Sequence, residues 1–105
     1  MKNPIYPCLW FDGRAKEAAE FYCSVFDDTV ITAENPMVVT FESAGQKFML
    51  LNGGPQFTLN PSVSFFVVCR TENEVDNTWA KLIEGGFVLM GLDKYEWSDR
   101  YGWLQ

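Results

Sequence analysis

The sequence predicts an α+β domain made of two copies of one strand–helix–strand–strand–strand module, the second copy truncated at its last strand. Three observations predict it. Two stretches carry apolar residues at helical spacing, each set between short apolar strands. The pattern recurs at a fixed offset: Ala18, Tyr22, Val25 and Phe26 fall on Val75, Trp79, Leu82 and Ile83, each 57 positions on (18 to 75, 26 to 83). The same shift lays Leu9-Trp10-Phe11 on Phe66-Val67-Val68, and Val30-Ile31 on Phe87-Val88. Finally, Phe48-Met49-Leu50-Leu51 and Phe65-Phe66-Val67-Val68 are apolar on both faces, which calls for cover on both sides. Two helices cover one side only. The other side implies a curled sheet, a partner chain or a ligand in a cleft.

The elements follow in order. Residues 5–11 read as a strand, with Pro7 favouring an edge position or a strand start. Asp12-Gly13 breaks it, and Asp12 is placed to cap a helix over about 13–26. Asp27-Asp28 ends that helix. Residues 29–34, 37–42 and 46–51 read as strands, joined by turns at Asn35-Pro36 and Ser43-Ala44-Gly45. Asn52-Gly53-Gly54-Pro55 opens a long loop before a fifth strand at 62–69. Thr71 and Glu74 form a capping box, so a second helix starts there and closes at Gly85-Gly86. A sixth strand is expected at 87–90, a polar aromatic loop at 93–100, and the start of a seventh strand at 101–105. One domain spans 1–105, with module one at about 5–52 and module two at about 62–105. The fourth strand of module one maps to 103–108, past the last residue.

The 105 residues are 48% hydrophobic, too apolar for a disordered segment, and carry a net charge of −6. That charge disfavours nucleic acid and anionic membrane as partners. No apolar run approaches a membrane span, and Met1-Lys2-Asn3-Pro4 lacks a secretory apolar stretch, so a cytoplasmic location is expected. Cys8, Cys23 and Cys69 sit among apolar residues and read as core thiols. There is no histidine, so no Cys–His pair arises within the chain. Asp93, Glu96 and Asp99 read as a solvated loop. No nucleophile–base pair is legible, and the catalytic residues, if any, are not assigned.

The run Leu9-Trp10-Phe11-Asp12-Gly13-Arg14-Ala15-Lys16-Glu17-Ala18-Ala19-Glu20-Phe21-Tyr22 resembles the PhnB-like branch of the vicinal-oxygen-chelate (glyoxalase/bleomycin-resistance) superfamily. So do Gly45-Gln46-Lys47-Phe48, Leu51-Asn52-Gly53-Gly54-Pro55, Ser64-Phe65-Phe66-Val67, Glu84-Gly85-Gly86 and Tyr101-Gly102-Trp103, in that order. The resemblance implies a glyoxalase-like pairing of βαβββ modules around a cleft, commonly with a dimer partner. Members of the branch often bear a demethylubiquinone-methyltransferase-like label. A nucleotide-type cofactor site wants a glycine-rich turn between strand and helix, whereas Asn52-Gly53-Gly54 is expected to join two strands.

Metal-dependent members of the superfamily place His, Glu or Gln ligands on the first and last strands of each module. Here strand 5–11 offers no His and no carboxylate, strand 62–69 only Ser62, Ser64 and Cys69, and strand 46–51 Gln46 and Lys47. No metal and no cofactor are therefore expected. The residues expected to line a ligand site are Tyr6, Trp10, Phe48, Asn52, Ser64, Phe66, Trp97 and Trp103. The expected partners are a small apolar or aromatic ligand and a second copy of the chain, since an open edge at 101–105 invites dimerisation or strand exchange. The alternative expectation is a metal-dependent lyase, isomerase or dioxygenase whose ligands a partner chain or further residues complete.

Overall fold

The computed structural model describes residues 5–105, so the Met1–Pro4 stretch weighed above lies outside the described residues. The chain divides into two compact units, up to Leu59 and from Asn60 onward. In the first, β1 (Cys8–Phe11), α1 (Ala15–Val25), β2 (Thr29–Glu34), β3 (Val38–Ser43) and β4 (Gln46–Asn52) form one βαβββ module. Its sheet runs β1-β4-β3-β2, with β1 parallel to β4 and the other pairs antiparallel. Ala15 and Ala19 of α1 are fully buried against Val39, Phe41 and Leu50, and Leu9, Phe11, Tyr22, Ile31 and Phe48 pack around them. The alanines leave no side chain to hold the helix off the sheet. Burial pushes the Tyr22 hydroxyl pKa upward.

The turns follow from their residues. Asn35 Oδ1 accepts from the N–H groups of Met37 and Val38, both at 2.9 Å, closing the β2–β3 connection. The two residues between β3 and β4, Ala44 and Gly45, both have positive φ, 49° and 84°. A two-residue hairpin of this kind needs both residues left-handed, and only the second is glycine. Ala44→Asn is accordingly expected to stabilise the protein by roughly 1 kcal/mol, because asparagine tolerates the left-handed region that alanine does not. A urea midpoint that rises with unchanged slope checks it.

The second unit holds α2 (Glu72–Leu82), β5 (Val88–Tyr95) and β6 (Ser98–Leu104), the strands forming an antiparallel pair. Thr71 caps α2, its Oγ1 accepting from the Glu74 N–H at 3.1 Å; the Glu74 carboxylate accepts from the Arg70 N–H at 3.4 Å. Trp79 of α2 packs on β6 at Gly102, where a Cβ would collide with the indole. Asp76 holds the Arg100 guanidinium at 2.8 Å, and that hydrogen bond raises the arginine pKa.

The structure corrects five expectations. Residues 62–69 form no strand and belong to neither sheet. Their counterpart β1 has one sheet neighbour, β4, and the counterpart of β4 is not among residues 62–105. An apolar composition alone does not make a strand, since a strand needs a neighbour to take its backbone groups. The polar aromatic stretch at 93–100 is not a loop but the closing half of a hairpin, with Glu96-Trp97 at the turn. Ile31 pairs with Phe41, and its counterpart Val88 pairs with Leu104, so β6 follows β3 by 63 positions (41 to 104) rather than 57. β6 (Ser98–Leu104), which takes in most of 101–105, is thus the third strand of the module. Asp12 does not cap α1, whose N-cap is Arg14, with no side-chain capping hydrogen bond. Finally, Cys8 is exposed rather than a core thiol, while Cys23 and Cys69 are half-buried.

Candidate functional site

Strand alternation sorts the first sheet into two faces. Leu9, Phe11, Val39, Phe41, Phe48 and Leu50 point to α1. Phe48, expected at a ligand site, therefore stands in the helix-side core, stacked on Phe41 with centroids 4.9 Å apart. Trp10 points the other way. On its face the strand register builds three rows. Trp10, Leu51 and Val38 form the first. Cys8, Met49 and Thr40 form the second, which Thr32 extends by a 2.8 Å hydroxyl–hydroxyl bond to Thr40. Lys47 and Glu42 form the third, with the Lys47 ammonium 4.5 Å from the centroid of the Tyr6 ring.

Trp10 is held at three points. Its Nε1–H donates to the Gly54 carbonyl at 2.8 Å. Gly53 lies so close beneath the indole that a Cβ there would overlap the ring. Phe57 meets it edge-on at 4.9 Å. The Gly53-Gly54 pair is the seat of a tryptophan. It is not an open cradle for a phosphate or a nucleotide, and it follows a strand rather than opening a helix.

Asn52 ties three elements together. Its Oδ1 accepts from the Ala15 N–H at 2.9 Å, satisfying one of the free donors at the start of α1, and its Nδ2 donates to the Pro36 carbonyl at 3.1 Å. This explains how α1 starts without a local cap. Asn52→Ala is expected to cost about 1–2 kcal/mol. Asn52→Asp should cost less, since it keeps the acceptor and places a negative charge at a helix N-terminus. Chemical denaturation of the two variants checks the ranking.

The remaining expected site residues lie in the second unit. Ser64 Oγ accepts from Trp103 Nε1–H at 3.1 Å. Phe66 is 74% exposed, with its ring 6.0 Å from Tyr101. Trp97 is 60% exposed, stacked on Tyr95 at 4.9 Å and edge-on to Tyr101 at 5.5 Å. Each unit thus carries its own group of these residues. Sequence reasoning missed Thr32 and Thr40, whose cross-strand approach depends on the register shift at Thr32. It also missed Tyr95 and Tyr101, which become neighbours of Trp97 only once the hairpin forms.

The donor set does not suit a divalent ion. On the Trp10 face, β1 and β4 present a thiol, an indole, an ammonium, a thioether and an isobutyl group, with no carboxylate or imidazole. Among the described residues, no three His, Cys, Asp or Glu side chains come together as a possible metal site. Nor is any helix among them long and apolar enough to cross a membrane.

Two helices with short strands in βαβββ order define an α+β protein of glyoxalase-like fold. Residues 3–105 match the family described as 3-demethylubiquinone-9 3-methyltransferase, and the chain belongs to that family, in its PhnB-like branch. Among solved structures, the PhnB protein from Bacillus cereus is 35% identical, with a TM-score of 0.88 over 97% of this chain and 90% of that one. The protein PA1353 from Pseudomonas aeruginosa is 19% identical, with a TM-score of 0.79 over 99% and 90%. The hypothetical protein SA1046 from S. aureus is 17% identical, with a TM-score of 0.76 over 100% and 86%. The last two show the fold alone. No curated protein is significantly similar to the chain.

Proposed function

We propose that this protein binds a small, largely apolar or aromatic molecule on the helix-free face of its first sheet, and does so without a metal ion. The observation that carries this reading is the fixed Trp10 indole, bonded to Gly54 and seated on Gly53, beside the half-buried Leu51 and Val38. An aromatic immobilised before binding loses little entropy when a flat ligand packs on it. The Thr32–Thr40 pair, in the row next to Trp10, adds a polar point that can orient a ligand with one oxygen or nitrogen. The face supplies stacking, apolar contact and one hydroxyl proton. Its one carboxylate, Glu42 on β3, stands opposite Lys47, and among the described residues no three His, Cys, Asp or Glu side chains gather as a metal site. Sequestration needs only the stacking and the apolar contact.

Methyl transfer, which the family's description names, would need a place for a methyl donor. The Gly53-Gly54 turn, which leaves the Trp10 face, is filled by the Trp10 indole, so no transfer step is assigned to it. The metal-dependent alternative of the superfamily has no donor set on this face.

A thermal-shift screen tests the reading, because a ligand that binds only the native state raises its midpoint. Small aromatic compounds are expected to raise it in the presence of EDTA, and Trp10→Ala should abolish the shift. Stoichiometric iron, zinc, nickel or manganese in the purified protein would contradict the reading.

A further inference from the structure

The Trp10 face carries a cation, Lys47, that no ion pair among the described residues holds, whereas Arg14, Lys16 and Arg100 are each matched to a carboxylate. Its place on the face is set by the strand register. Along β1 and the residues ahead of it, Trp10, Cys8 and Tyr6 follow at two-residue steps. The Met49 N–H donates to the Pro7 carbonyl at 2.9 Å, so the chain already runs beside β4 before Cys8. Tyr6 thereby reaches Lys47, whose ammonium lies 4.5 Å from the centroid of its ring. Two aromatics thus stand at the ends of a row, roughly 13 Å apart along the strand, with a small thiol between them.

Glu42 pairs with Lys47 from the other side, since β4 lies between β1 and β3. The ammonium turns to the ring on the β1 side instead. A cation–π contact attracts the charge without neutralising it. Lys47 is half-buried, so its charge is only partly met by water and is left for a group lying over the β1 side of the face.

We infer that the ligand of this face is an arylalkanoate, with a flat ring on Trp10, a short alkyl chain over Cys8 and Met49, and a terminal carboxylate on Lys47. This deepens the reading proposed above and rests on it. The middle of the row suits such a chain. Cys8 is small and exposed, and the half-buried Met49 opposite it offers a pliable thioether surface. A lone ammonium is a point charge and matches a singly charged group such as a carboxylate.

The test uses the full chain, phenylhexanoate, the neutral phenylhexanol and the short benzoate, each titrated at low ionic strength and read by the Trp10 indole N–H resonance. Phenylhexanoate should bind about fivefold tighter than phenylhexanol, and Lys47→Gln should remove the difference. Glu42→Gln, which takes away a competing charge, should tighten phenylhexanoate further. Benzoate, too short to reach from Trp10 to Lys47, should bind the native and Lys47→Gln proteins alike. If Lys47→Gln does not fold, loss of the preference in concentrated salt serves in its place. Equal binding of acid and alcohol, or a preference that survives Lys47→Gln or concentrated salt, overturns the inference and leaves the Trp10 reading standing. If neither phenylhexanoate nor phenylhexanol moves the Trp10 resonance, both are overturned.

Discussion

Leu50→Ala is expected to destabilise the first unit by about 2–5 kcal/mol, the largest effect of any single truncation in it. Leu50 is 0% exposed and pairs with Leu9 on one side and Val39 on the other, directly under α1. Its removal opens a void at the meeting point of α1, β1, β3 and β4. The alanines of the helix face cannot fill it, because they carry no atoms to relax into the space. Leu51→Ala, one residue on and on the opposite, half-buried face, should cost markedly less. Urea unfolding followed by far-UV circular dichroism compares the two. Equal losses would mean that the faces are assigned wrongly.

Gly53→Ala is expected to cost about 1–3 kcal/mol, an overpacking penalty. The added Cβ overlaps the Trp10 ring, so either the indole leaves its seat and breaks its bond to Gly54, or the loop shifts. Both change the Trp10 environment, which should appear as altered tryptophan emission. Gly91→Ala is the control: nothing lies within 4 Å of a Cβ there, and its loss should be small. Truncating the ring resolves the cause, since Gly53→Ala in a Trp10→Leu background should add little further cost. A full penalty persisting in that background would show that the glycine serves the backbone and not the tryptophan.

What was legible in both modules rests on local signals. The Ala15-Ala18-Ala19-Tyr22 stripe, the Asn35 turn and the Thr71–Glu74 cap each depend on residues within one or two turns of one another. What failed depended on residues far apart. Asp12 looked like the helix cap, yet the first N–H of α1 is satisfied by Asn52, 37 residues away. Phe48 and Trp10 looked equivalent as site aromatics, and only the register of β1 on β4 sends them to opposite faces. Residues 62–69 have a strand's composition yet join neither sheet, because composition reports burial and not pairing. The stretch Asp93–Arg100 read as a loop because charges alternate with aromatics, yet the same alternation suits a hairpin with one solvated face.

The Trp10 face is the centre of the account, and the Trp10 indole N–H resonance, assigned by its loss in Trp10→Phe, reports on it directly. With EDTA present, small aromatic compounds that raise the thermal midpoint should shift this resonance in proportion to occupancy. Compounds that bind only after a divalent metal is added, or that leave the Trp10 resonance unmoved while shifting others, would contradict a metal-free ligand face built around Trp10.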